Sequence, residues 1–218
     1  MHAASGRHYV AEIICRLKRR YSGEMGTRLH HSTAWQLLVA TMLSAQAMDS
    51  TVNAVTHSMF KAYKKPEDFS KLRPVQLYKF TRKIGLYRSK SRNIIRSAKI
   101  IVEQYDSKVP KSISELTKLP GVGRKTANVV LANVYGINEG IAIDTHCITV
   151  SNRLGIVRTK DPAKIEQALI KVTPREEWGS ITHLFIALGR DVCTARAKHC
   201  ERCVLNDICP SSTVKVVK

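Results

Sequence analysis

Apolar residues recur at the three- and four-residue spacing of an α-helix along nearly the whole chain, and this periodicity limits the fold more than any other feature. Val10, Ile13, Ile14 and Leu17 form one such stripe near the start. The stretch from Trp35 to Gln46 is apolar on almost every side, as in a helix surrounded by protein. Ile94, Ile95, Ala98, Ile101 and Val102 mark one face of a helix from about Tyr87 to Tyr105. Ile165, Ala168, Leu169 and Val172 repeat the spacing after Asp161-Pro162, a cap residue followed by a proline suited to a first helical turn. Ile181, Leu184, Phe185 and Leu188 do so again. Strand alternation is nearly missing, and Ile141 to Ile143 is too short to organise a sheet. The fold class expected is all-α, with roughly ten helices by its start and stop signals. No stretch rich in Gly, Ser or Pro separates independent domains.

With 218 residues the chain can bury a core without a disulfide framework. Its charge is unusual: 36 Lys and Arg against 17 Asp and Glu, a net +19. Such an excess favours a polyanionic partner, because each phosphate contact releases counterions. The basic residues are spread along the chain rather than gathered beside a lipid-seeking segment, which speaks against a membrane surface. No apolar stretch is long enough to span a bilayer, and the N-terminus lacks the apolar core of a secretory signal, so an intracellular location is expected.

Six cysteines are present. Cys15 and Cys147 stand alone within helical patterns and are expected to be small buried residues. Cys193, Cys200, Cys203 and Cys209 follow Cys-x6-Cys-x2-Cys-x5-Cys, a spacing suited to metal ligation rather than to disulfides inside a cell. Four thiolates hold either zinc or an iron–sulfur cluster, and ligand type alone does not choose. Arg196 and Lys198 lie between the ligands, where they either meet a nucleic acid or are simply solvated.

The sharpest local feature is Leu119-Pro120-Gly121-Val122-Gly123-Arg124-Lys125-Thr126-Ala127. A short helix is expected from Ile113 to Leu119 and another from Lys125 to Tyr135. The glycines between them form a tight turn that leaves backbone N–H groups bare beside a helix N-terminus, a cradle for one phosphate. This helix-hairpin-helix pattern grips nucleic-acid backbone without reading sequence, through Gly121, Val122, Gly123, Arg124 and Thr126. Lys125 opens the second helix, whose positive end favours the neutral, nucleophilic amine. A phosphate-contacting lysine is an equal reading on local sequence alone. Asp144, in Ile143-Asp144-Thr145-His146, is placed to cap the following helix, and a carboxylate there can also face a substrate groove. His146 reads as a packed or surface side chain.

The hairpin with Lys125, the Ile-Asp-Thr-His element at Asp144 and the cysteine spacing together resemble the endonuclease III family of helix-hairpin-helix DNA glycosylase/AP lyases. Leu43-Ser44-Ala45-Gln46-Ala47, Gly85-Leu86-Tyr87 and Ser89-Lys90 are similar to further segments of that family. The likeness runs from about Trp35 to Cys209. It implies two helical domains with a DNA-binding cleft between them: a six-helix barrel over 27–137 carrying the hairpin, and a domain of 1–26 plus 138–218. The latter would hold a [4Fe–4S] cluster on Cys193, Cys200, Cys203 and Cys209. It further implies Lys125 as Schiff-base nucleophile, Asp144 as its assisting carboxylate, and Gln46 and Leu86 as residues that enter the duplex around an extruded nucleotide. Without the likeness, Gln46 reads as a buried polar residue and Leu86 as a core leucine. The expected partner is double-stranded DNA with a damaged base or abasic site, the protein acting as a monomer. Met48 and Leu188 depart from the family pattern, where a small hydroxyl residue and a histidine are common, and both bear on the choice of damaged base.

Two other functions fit parts of the pattern. A monofunctional mismatch or damage glycosylase would release a base without cutting the strand, but an attacking water needs no lysine at position 125. A non-catalytic nucleic-acid-binding protein would pair the hairpin with a structural metal.

Overall fold

Leu37, Leu38, Val39 and Ala40 are consecutive and have no exposed surface, which is possible only for a helix enclosed on all sides. That helix, α2 (Ala34–Ser44), belongs to one of two units into which the chain divides in the computed structural model, which describes residues 3–24 and 26–214. The first unit is Thr27–Glu139; the second joins Met1–Gly26 to Gly140–Lys218. Eleven α-helices and no sheet form among the described residues, so the chain is all-α. None of these helices is long and apolar enough to cross a membrane.

In the first unit α2 is followed by α3 (Asp49–Ala62), α4 (Pro66–Ser70), α5 (Pro74–Thr81), α6 (Tyr87–Gln104), α7 (Ile113–Leu116) and α8 (Arg124–Val130). Local chemistry sets the boundaries. Thr33 accepts a bond from the Gln36 amide at the start of α2, and the Gln36 side chain accepts one from the Ser32 amide. Pro66 and Pro74 occupy first-turn positions, where Asp68 and Gln76 reach back to the amides of Lys65 and Arg73. Helices α3, α6 and α8 pack on α2, and Phe69, Leu77, Ile94, Ile101 and Leu116 complete one core.

The second helix of the hairpin does not run regularly to Tyr135. After α8 the backbone widens into a π-type turn, Leu131–Tyr135, ended by Gly136 at φ 64. Within it Asn133 donates to the Val129 carbonyl and accepts from the Thr27 amide, so side-chain bonds compete with the regular ladder.

The second unit contains α1 (Ala3–Arg20), α9 (Thr145–Arg153), α10 (Pro162–Val172) and α11 (Trp178–Asp191) around its own core. The stripe of Val10, Ile13, Ile14 and Leu17 is buried as its spacing indicates. Cys147 is buried, but Cys15 is exposed: it lies one residue past Ile14, on the side of α1 turned from the core. Arg16 ties α1 to the C-terminal loop through Asp207 at 2.5 Å and the Val204 carbonyl at 3.2 Å. Tyr9 donates to the carbonyls of Leu154 and Ile208, and burial followed by the charge of Cys209 pushes its hydroxyl to about 12.

Ile141 to Ile143 is extended without pairing in a sheet. The Ile141 amide donates to buried Glu166 of α10, and Thr182 of α11 donates to the Ala142 carbonyl. His146 packs against α11 so closely that a Cβ on Gly189 would lie 2.5 Å from its Nδ1. Alanine normally stabilises a helix interior by about 1 kcal/mol over glycine. Here we expect Gly189→Ala to destabilise instead, by about 1–3 kcal/mol in urea unfolding, with much of the loss restored by adding His146→Ala.

Candidate functional site

The hairpin turn closes by a bond from the Val122 amide to the Leu119 carbonyl, 3.1 Å long. Val122 is also buried, so neither its amide nor its side chain is bare; the turn uses both to hold its own shape. Gly121 has φ +80, and a Cβ there would meet Asn93 of α6 at 2.8 Å. Beside it Ser97 donates to the Pro120 carbonyl at 3.0 Å. Gly123 differs: it caps α8 with φ −90, and nothing lies within 4 Å of where its Cβ would be. Its missing side chain serves no contact inside the protein and leaves room for an outside group. The first backbone bond of α8 runs from Ala127 to Gly123, so the amides of Lys125 and Thr126 have no acceptor within the helix. Arg124 and Lys125 are exposed and Thr126 is half-buried.

Helix α2 stops at Ser44, short of Gln46. Gln46 and Leu86 are both exposed, Leu86 at 69%, so neither is the core residue its type suggests. Both have φ 58, left-handed backbone that costs a non-glycine residue roughly 1–2 kcal/mol. Two strained, exposed residues at helix junctions are functional-site candidates on that ground alone. Lys90 of α6 is 9% exposed; its ammonium donates to the carbonyls of Leu43 at 2.8 Å and Ala45 at 2.5 Å, just before Gln46. Burial holds that ammonium below its ordinary lysine value.

In the other unit Asp144 caps α9 by accepting from the Cys147 amide at 2.8 Å. Half-buried His183 on α11 feels it: burial lowers the imidazole pKa, and the charge of Asp144 opposes that shift. The four loop cysteines, none in a disulfide, line one enclosed cavity of about 20 Å³. Among the described residues no three His, Cys, Asp or Glu groups close on a single ion. Four cysteine thiols lining one cavity are a donor set that fits zinc or an iron–sulfur cluster. Burial raises the Cys203 and Cys209 thiols, reinforced by the neighbouring cysteines; at Cys200 burial acts the same way, but hydrogen bonds with Thr213 and Ser212 and the charge of Lys198 together lower it. Lys198 lies against this loop with its ammonium on the Ser211 carbonyl at 2.9 Å, while Arg196 is exposed. Arg153, at the end of α9, donates to Cys193 Sγ at 3.3 Å and to the Thr194 carbonyl at 2.7 Å.

The profile of the HhH-GPD superfamily of base excision DNA repair proteins matches residues 39–175. The chain belongs to that superfamily. Endonuclease III of Bacillus subtilis (strain 168) is 44% identical over 182 residues, 83% of each chain. Endonuclease III of Synechocystis sp. is 40% identical over 209 residues, covering 96% of this chain and 95% of that one. Among solved structures, a trapped endonuclease III–DNA covalent intermediate superposes with a TM-score of 0.88 at 37% identity, covering 94% of this chain and 96% of that one. As a member of this superfamily with endonuclease III relatives, the chain is a base-excision repair enzyme, a DNA glycosylase/AP lyase.

Of the two departures from the endonuclease III pattern, Met48 is 72% exposed at the start of α3, whereas Leu188 is buried in the core of the second unit. Asn93, Ser97, Arg153 and His183 have no distinctive sequence context, and only their contacts bring them into the site; Lys90 lies in a segment similar to the family's, but its contacts alone show what it holds. The contrast between the two hairpin glycines is measurable. Gly121→Ala should cost about 1–3 kcal/mol in chemical unfolding through left-handed strain and the Asn93 clash. Gly123→Ala should cost less than about 1 kcal/mol.

Proposed function

We propose that this glycosylase/AP lyase acts on double-stranded DNA through Lys125 as a Schiff-base nucleophile, with oxidised pyrimidines as its substrate class. The observation that carries the reading is an exposed primary amine in the first turn of α8, two residues after a glycine cap with open space around it. A covalent intermediate with DNA, as named for the endonuclease III structure, needs such a nucleophile.

The reaction begins when a damaged base leaves the stack, at a cost of a few kcal/mol that lesions reduce. Gln46 and Leu86, exposed and locked in left-handed backbone, occupy the space it vacates. The hairpin holds the strand through the amides at Gly121, Gly123, Lys125 and Thr126 and the charge of Arg124, with Arg196 and Lys198 adding charge from the cysteine loop. Lys125 Nζ attacks C1′ and the C1′–base bond breaks, the base departing with a proton. Asp144 balances positive charge on the sugar or takes a proton, its second oxygen remaining beyond the one that caps α9. The resulting imine acidifies the C2′ proton; its loss expels the 3′ phosphate and cleaves the strand. Cys193, Cys200, Cys203 and Cys209 would hold a [4Fe–4S] cluster whose chemistry is to cross-link the loop.

Borohydride should trap the wild-type protein on lesion-containing DNA. Lys125→Gln should bind the same duplex nearly as well yet neither trap nor cleave; trapping at the wild-type rate would assign the nucleophile to another amine. Elemental analysis of anaerobically purified protein should give about four iron and four sulfide per chain, and zinc in their place would remove the cluster from this reading. Affinity for undamaged duplex should fall steeply with salt and show little sequence preference. A flat salt dependence would contradict phosphate gripping.

A further inference from the structure

We propose that Lys90 is a positioning residue for lesion extrusion, its side chain and backbone holding the turns of Gln46 and Leu86 in one fixed arrangement. This rests on the reading above that those two residues enter the duplex. A lysine with only 9% of its surface exposed is rare, because an ammonium withdrawn from water is costly unless its donors are met. Both of its acceptors are main-chain carbonyls, Leu43 O and Ala45 O, at the end of α2. Helix ends leave such carbonyls without partners inside the helix, and a cation there also meets the negative end of the helix dipole. The next residue, Gln46, has φ 58, and the turn closes from the Ala47 amide to the Ser44 carbonyl. Lys90 therefore grips the chain immediately before the strained position.

The same residue is bonded to the second strained position. The Lys90 amide donates to the Leu86 carbonyl at 3.0 Å, the first backbone bond of α6, and Leu86 is its left-handed cap. One residue thus joins two exposed left-handed residues, on chain segments forty positions apart, through bonds at its opposite ends. Methionine would fill nearly the same volume but leave two carbonyls unmet. Gln46 would then have to be ordered at the moment of extrusion, a cost that the native contact removes in advance.

A double-mutant cycle tests this, using the full chain and a duplex with a fluorescent base analogue opposite a defined lesion. Lys90→Met should slow the lesion-dependent fluorescence rise ~10-fold, leaving affinity for undamaged duplex unchanged. Gln46→Ala should slow that rise to a similar extent, and the double variant should be no slower than the worse single variant. A merely structural loss would instead weaken undamaged-DNA binding as well and multiply with Gln46→Ala. Multiplying effects, or normal extrusion by Lys90→Met, would overturn the proposal while leaving the Gln46 reading intact. Normal extrusion by Gln46→Ala would remove that reading and this proposal with it. If Lys90→Met does not fold, Lys90→Gln, too short to reach both carbonyls, enters the same cycle under the same criteria.

Discussion

Leu86, Lys90, Asn93 and Ser97 follow one another along α6 at intervals of four, three and four, so they share a side of the helix. Each meets a different piece of the proposed DNA-handling surface. Leu86 is exposed at the cap; Lys90 binds the end of α2; Asn93 presses on Gly121; Ser97 holds the Pro120 carbonyl. The apolar face of the same helix, Ile94, Ile95, Ala98 and Ile101, is anchored in the core of its unit. A rigid helix anchored in the core can hold three separate turns from polar residues within and beside its buried face, and the first unit depends on that arrangement. The hairpin is consequently not a freestanding motif. Its glycine at 121 is required by a neighbour, whereas its glycine at 123 is required by nothing inside the protein.

The second unit solves the corresponding problem for Asp144 with several small contacts. The extended segment before it is pinned from α10 by Glu166 and from α11 by Thr182. The helix after it is seated by His146 against Gly189. The carboxylate itself is steadied by the Cys147 amide. Capping a helix and serving a reaction are compatible, since one carboxylate oxygen suffices for the first.

What the sequence made legible follows from the physics of its signals. Apolar periodicity depends on burial, and the stripes of α1, α6, α10 and α11 are found where their spacing put them. Caps such as Asp161 act over two or three residues and were equally readable. Asn93 and Ser97 were not, and Lys90 was marked only by its likeness to a family segment, because a polar residue on an amphipathic helix looks solvated until its distant partner is known. The hydroxyls at Ser91 and Ser97, both buried within the apolar arc, were the available hint. Gln46 and Leu86 show the opposite failure: residue type suggested burial, but backbone conformation, which no local pattern announces here, placed both outside. The widened turn at Leu131–Tyr135 likewise depends on a neighbour far along the chain, Thr27, whereas the exposure of Cys15 follows from its place off the apolar stripe of α1.

Helix α9 has a consequence for how disturbance travels through the second unit. Asp144 caps its first turn, and Arg153, its last residue, is bonded to Cys193 Sγ and to the carbonyls of Thr194 and Ala195. Cys209 Sγ in turn contacts the Arg153 carbonyl. Nine residues of helix make a strut about 13 Å long. Oxidative damage to the cysteine loop would therefore not stay local: it would free one end of a lever whose other end carries the Asp144 carboxylate.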